Sequence, residues 1–168
     1  GVNAALKSFI QKASEGLITG GVHTPNHRWV VCAALAKINK LYPDERMVNR
    51  IDEWLAEGIF MDADGHYPER SQNYAVVENN SLITLARMLG KKDLLNPVRR
   101  NLSMTYYYME PNGDLVVNDS RRQDQWTSKR MVAFYLHYRF MAIHDGHPTY
   151  SGIAQLIESF DDFDKEVV

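Results

Sequence analysis

Apolar residues return at helical spacing in seven stretches of this chain, and only one short stretch alternates as a strand would. The first stretch places Leu6, Phe9, Ile10, Ala13 and Leu17 on one face and stops at Gly20-Gly21. The second, Trp29 to Ala36, is apolar nearly all round, which predicts a helix buried on every side. The third opens at Pro43 and sets Met47, Ile51, Trp54 and Leu55 against a charged back of Glu45, Arg46, Arg50 and Glu53. The fourth covers about Ser71 to Leu89, and the fifth runs from Pro97 to Met109 with Val98, Leu102, Thr105, Tyr106 and Met109 on one face. The sixth is Met131 to Leu136, and the seventh follows Pro148 with Ile153, Leu156, Ile157 and Phe160. Asp114-Leu115-Val116-Val117, after the turn Pro111-Asn112-Gly113, reads as half of a small hairpin.

The connectors alternate in character. Those around Tyr42-Pro43, Gly90-Lys91-Lys92 and Asp145-Gly146-His147 are short, whereas those before the second, fourth and sixth helices are long and polar. Helices joined by short loops run antiparallel, so the pattern predicts all three long loops at one end. The expectation is an all-α single domain over 1–168: antiparallel helical hairpins forming part of an α/α toroid, with one small β-hairpin. A plain helical bundle is the alternative.

Composition narrows the function classes. The 168 residues can bury a real core. A formal net charge of -2 is not the basic footprint of a nucleic-acid binder. No stretch approaches the ~20 consecutive apolar residues of a membrane span, and no signal-peptide pattern is visible at Gly1-Val2-Asn3. Cys32 is the sole cysteine, which excludes intrachain disulfides and cysteine-based metal sites. No nucleophile elbow, phosphate-binding glycine loop or His-Glu-x-x-His helix occurs.

The long loops hold the candidate chemistry. In Gly20 to Trp29, Thr24 suits an N-cap and Pro25 a first helical residue, which puts Asn26 and His27 in the first turn. That end of a helix attracts anions, although both residues could simply satisfy backbone groups there. In Met61 to Tyr74, Ser71 can cap the fourth helix and so place Tyr74 in its first turn. Asp62, Asp64 and Gly65 suggest a calcium loop only faintly, since its ligand spacing and closing Glu are missing; turn and capping duties explain them better. Asn118 to Trp126 adds Arg121 and Arg122, whose guanidinium forks suit a carboxylate or sulfate, or solvated pairs with Asp119 and Asp124.

Thr24-Pro25-Asn26-His27-Arg28-Trp29, followed about fifty positions later by Asp64 to Ser71 and Tyr74, resembles the heparinase II/III-like and related alginate-lyase toroids. The resemblance spans roughly Gly20 to Trp126, including Ser120-Arg121-Arg122-Gln123. It implies a polysaccharide lyase acting by β-elimination on a uronic-acid-containing glycan, without a cofactor or metal. It assigns carboxylate neutralisation to Asn26 and His27 and acid/base work to Tyr74, with Tyr67 as second choice. His23, Arg28, Tyr67, Glu69, Arg70, Arg121, Arg122 and Trp126 are then candidate substrate-binding residues. The implied partner is an acidic polysaccharide or oligosaccharide, and the implied location periplasmic or secreted.

Elimination needs the uronate carboxylate hydrogen-bonded so that the developing enolate is stabilised, plus a base and an acid. A tyrosine base needs a cationic neighbour, for which the sequence offers His27 and Arg70. The chain departs from the resemblance in having fewer helices than a full toroid and no β-rich domain, which makes a longer parent chain a possible partner of this one. The alternatives are a glycoside hydrolase on the same scaffold, using two of Asp62, Asp64, Glu69, Asp119 and Asp124, and a non-catalytic glycan-binding or structural domain.

Overall fold

A computed structural model describes residues 1–21 and 23–167; Val22, in the first long connector, and Val168 lie outside the described residues. The described chain is mostly helical, with eight α-helices and one two-stranded antiparallel sheet. The helices are α1 (Val2–Thr19), α2 (Pro25–Leu41), α3 (Glu45–Ala56), α4 (Gln72–Leu89), α5 (Leu95–Tyr107), α6 (Tyr135–Asp145), α7 (Pro148–Glu158) and α8 (Phe163–Val167). The chain packs as two compact units, the first made of residues 1–60 and 81–95 and the second of residues 61–80 and 96–168.

In the first unit α1, α2 and α3 pack on one another. The amphipathic signal of α3 is the truest: Met47, Ile51 and Trp54 are buried, and the helix starts not at Pro43 but after Asp44, whose carboxylate accepts the Arg46 amide. Helix α2 buries Trp29, Cys32, Ala33, Leu35 and Ala36, the stripe expected of one inward face. It is not enclosed on every side, because Val30 is exposed and Val31 and Ala34 are half-buried. Helix α1 departs further. Leu6 and Phe9, two residues of its apolar face, are 55% and 69% exposed, and only Ser14 is buried. The spacing gave the helix correctly but not a burial partner for it.

In the second unit α6 and α7 form a packed hairpin. Gly146 closes α6 in the left-handed conformation, and His147 Nδ1 accepts the Thr149 amide at the start of α7. The sixth segment begins as a 3-10 turn, Met131–Phe134, and becomes regular helix only at Tyr135. Helix α5 starts two residues before Pro97, which occupies its first turn where no intrahelical N–H is needed. Its stripe buries Val98, Asn101, Leu102 and Thr105, while Tyr106 is exposed.

The strand β1 (Asp114–Leu115) pairs with β2 (Lys129–Arg130), with Asp114 opposite Arg130 and Leu115 opposite Lys129. The hairpin is therefore wide, and the whole Asn118 to Trp126 loop sits between its strands.

Candidate functional site

The second and third long loops are knitted together within the second unit, and Asp124 is the knot. Its Oδ2 accepts Ser71 Oγ at 2.6 Å and Asn73 Nδ2 at 3.0 Å, and its Oδ1 accepts Ser120 Oγ at 2.7 Å. Burial alone would raise the Asp124 carboxyl, but these hydrogen bonds outweigh it and hold it below the usual range. Ser71 Oγ in turn accepts the Tyr74 amide, the capping bond expected at the head of α4. A backbone bond from Arg121 N to Glu69 O, 2.9 Å, completes the seam.

This frame presents Tyr74. Its phenolic oxygen accepts Arg122 Nη2 at 3.1 Å and Gln123 Nε2 at 3.4 Å, and the Arg122 guanidinium lies over its ring at 4.6 Å. The cation beside Tyr74 is thus Arg122. Forty-eight residues separate the two, and no local pattern in the sequence pairs them.

Arg70 is committed elsewhere. Its Nη1 bonds Asp62 Oδ2 at 2.7 Å, its Nε bonds Asp119 Oδ2 at 3.1 Å, and its Nη2 reaches the Tyr108 hydroxyl at 3.5 Å. It does so from a left-handed backbone (φ 49°), a strained setting for a side chain of this size. Tyr108 also donates to Asp119 Oδ2 at 2.8 Å. The buried His66 ring meets Tyr108 edge-on at 4.9 Å, and burial, reinforced by Arg70, lowers its proton affinity. Asp62 serves the turn: its Oδ1 accepts the amides of Asp64, Gly65 and His66. Among the described residues, no group of three His, Cys, Asp or Glu side chains could hold a metal ion.

Tyr67 and Glu69 lie in the core. Tyr67 is 3% exposed, its hydroxyl donates to Asn79 Oδ1 at 2.8 Å, and burial together with the Glu78 charge raises its phenol well above the usual range. The bond continues inward from Asn79 to Asn101 and from Asn101 to the Gly65 carbonyl. Glu69 is buried as well, so neither side chain meets solvent as a ligand-contacting group must. Arg121 and Trp126 are exposed, Trp126 at 83%, and Trp126 lines a cleft of about 370 Å³ with Glu110, Asp114, Val116 and Gln125.

The first unit carries the other candidates. Thr24 stands at the N-cap of α2, yet its hydroxyl donates to Asn26 Oδ1 at 2.7 Å rather than capping the helix. Asn26 is buried and His27 exposed. The half-buried His23 ring lies edge-on to Trp54 at 5.7 Å and to His27 at 6.3 Å. Arg28 pairs with Glu57 at 2.6 Å.

Sequence reasoning gave no individual role to Gln123, Asn73 or Ser120 and missed the hub role of Asp124, as well as Glu78, a fully buried acid on α4. Comparison with protein-family models, with curated proteins and with solved structures finds no match for this chain.

Proposed function

We propose that the second unit engages an acidic glycan at Tyr74 and Arg122, and that Tyr74 is the acid/base of a β-elimination on a uronic-acid residue. The observation that carries this reading is the phenol of Tyr74 held by two donors, Arg122 and Gln123, with a guanidinium over its ring. Two donors aimed at the oxygen are what a tyrosine base needs while it carries negative charge. The Ser71–Asp124 knot fixes the residue to a rigid helix head, which favours catalysis by limiting reorganisation.

The sequence resemblance to heparinase II/III-like and alginate-lyase toroids supports the same assignment, and the packed helix pairs α2–α3 and α6–α7 suit a scaffold of helical hairpins. The exported location that the resemblance implies belongs to this proposal, whereas Asn26, as buried as Tyr67, does not meet solvent as a carboxylate neutraliser must. Hydrolysis is less well supported, because four of its five candidate carboxylates are occupied or buried, which leaves Asp64 without the second acid the reaction needs. Asp62 and Asp119 hold Arg70, Asp124 holds three donors, and Glu69 is buried.

Elimination leaves an unsaturated uronic acid that absorbs in the near ultraviolet, and hydrolysis does not. Incubation with a panel of uronic-acid polysaccharides should therefore raise ultraviolet absorbance, and Tyr74→Phe should abolish the rise while retaining glycan binding. Absence of both product and oligouronate binding across the panel would refute the reading.

A further inference from the structure

Helix α4 carries a glutamate where its core stripe runs. Ala75, Glu78, Leu82 and Leu85 recur at three- and four-residue spacing, and all four are buried, Glu78 completely. Among the described residues neither Glu78 oxygen meets a donor, and neither does Oε2 of Glu69, itself 6% exposed in the loop leading to Ser71. The two carboxyl groups are nevertheless within hydrogen-bonding reach of each other. Two ionised carboxylates are both acceptors and repel, so a bond between them exists only when one carries a proton.

We propose that Glu69 and Glu78 share a single proton in the folded protein, and that this carboxyl pair is a positioning device that fastens the loop before Ser71 to the first turns of α4. The pair ties the residue two positions before the Ser71 cap to the helix whose first turn bears Tyr74. Its role in placing Tyr74 rests on the function proposed above; the shared proton does not.

The groups around Glu78 fit this state. Burial, then the charge of Glu69, then the bond to Glu69 push the Glu78 carboxyl up to about 9. Tyr67, from the same loop, donates its O–H to Asn79 rather than to Glu78, and its phenol is raised by burial and by Glu78 once that carboxyl ionises. His137 of α6 turns its Nε2 to Asn80 at 3.1 Å, and burial pushes its imidazole down to about 4, so it brings no positive charge to α4 at neutral pH. Among the described residues no Lys or Arg sets the proton affinity of Glu78.

The sign follows from linkage. A carboxyl whose folded value lies above its unfolded one stabilises the fold fully below the unfolded value, and that contribution is lost as pH rises toward the folded value. Above about pH 7, where His137 is neutral in the folded and unfolded chain alike, wild-type protein should therefore lose unfolding midpoint steadily up to about pH 9. In Glu78→Gln the carboxamide donates to Glu69 without needing a titratable proton, so the midpoint should stay flat across that range. A parallel slope in wild type and Glu78→Gln overturns the proposal.

Infrared spectroscopy of the wild type provides a readout independent of any variant's folding. A protonated-carboxyl carbonyl band should persist at neutral pH and disappear above about pH 9; absence of that band at neutral pH also overturns the proposal. Under the proposed lyase activity, Glu78→Gln should extend turnover to higher pH. Flat stability with unchanged turnover would retain the shared proton and remove its link to Tyr74.

Discussion

Removing the Asp124 carboxylate should do more damage than any other single change in the loops. It is 8% exposed and accepts three side-chain hydrogen bonds, from Ser71, Asn73 and Ser120, at 2.6 to 3.0 Å. Hydrogen bonds to a charged group are worth roughly 1.5–3 kcal/mol each, and orphaned buried donors add a desolvation cost. Ser71 and Ser120 hydroxyls can rotate toward other acceptors, so the full sum is not realised. Asp124→Ala is expected to cost about 3–5 kcal/mol and Asp124→Asn about 2–3, since the amide keeps one acceptor but turns an N–H₂ toward donors. Urea unfolding with unchanged m-value measures the cost, and hydrogen exchange at the Tyr74 amide should accelerate as its Ser71 partner loosens. Because the folded carboxyl lies below its unfolded value, the stabilisation is present above about pH 4 and fades as pH falls through the folded value, a limb that Asp124→Asn should flatten. A cost for Asp124→Ala below about 1 kcal/mol would show that the knot holds nothing, and the argument for a preset Tyr74 would go with it.

Other outcomes follow from single sites. His137, held neutral by burial with its proton affinity at about 4, should make the fold lose about 3 kcal/mol as pH falls from about 6.5 to about 4; His137→Asn should remove most of that slope in acid unfolding curves. Gly65→Ala should destabilise by more than about 2 kcal/mol, because the residue sits at φ 105° and a methyl group there would lie 2.6 Å from the Arg100 carbonyl oxygen; denaturant midpoints test it, and a neutral result would refute the packing. Trp29 and Trp54 are 2% and 5% exposed, so acrylamide should quench Trp126 almost alone, and Trp126→Phe should abolish the accessible fraction. Phe9→Ser should leave stability within about 0.5 kcal/mol, the outcome for a side chain 69% exposed.

Periodicity exposed the helices because each is a local, repeating solution to burying one stripe. The caps at Thr24 and Ser71 were equally legible in position, being set by residues adjacent to the helix start. What periodicity could not supply was the depth of a stripe. The apolar face of α1 repeats at helical spacing as that of α3 does, yet Leu6 and Phe9 are wet while Met47 and Ile51 are dry. The partner of Tyr74 was hidden for a related reason. Arg122 reaches it through the closure of a wide hairpin, and such contacts depend on tertiary geometry rather than on spacing. Glu78 did leave a mark: an acid standing midway between Ala75 and Leu82 on a core stripe is a local contradiction that only a buried partner resolves.

The wide hairpin has an evolutionary corollary. Two residue pairs, Asp114 with Arg130 and Leu115 with Lys129, act as a clasp, and the positions between them outside the Ser120, Arg121 and Asp124 anchors can vary in length and sequence without unseating either end. New recognition chemistry can therefore be drafted onto the tip while the clasp and the Asp124 anchor stay unchanged, much as a hand may change its grip without moving the wrist.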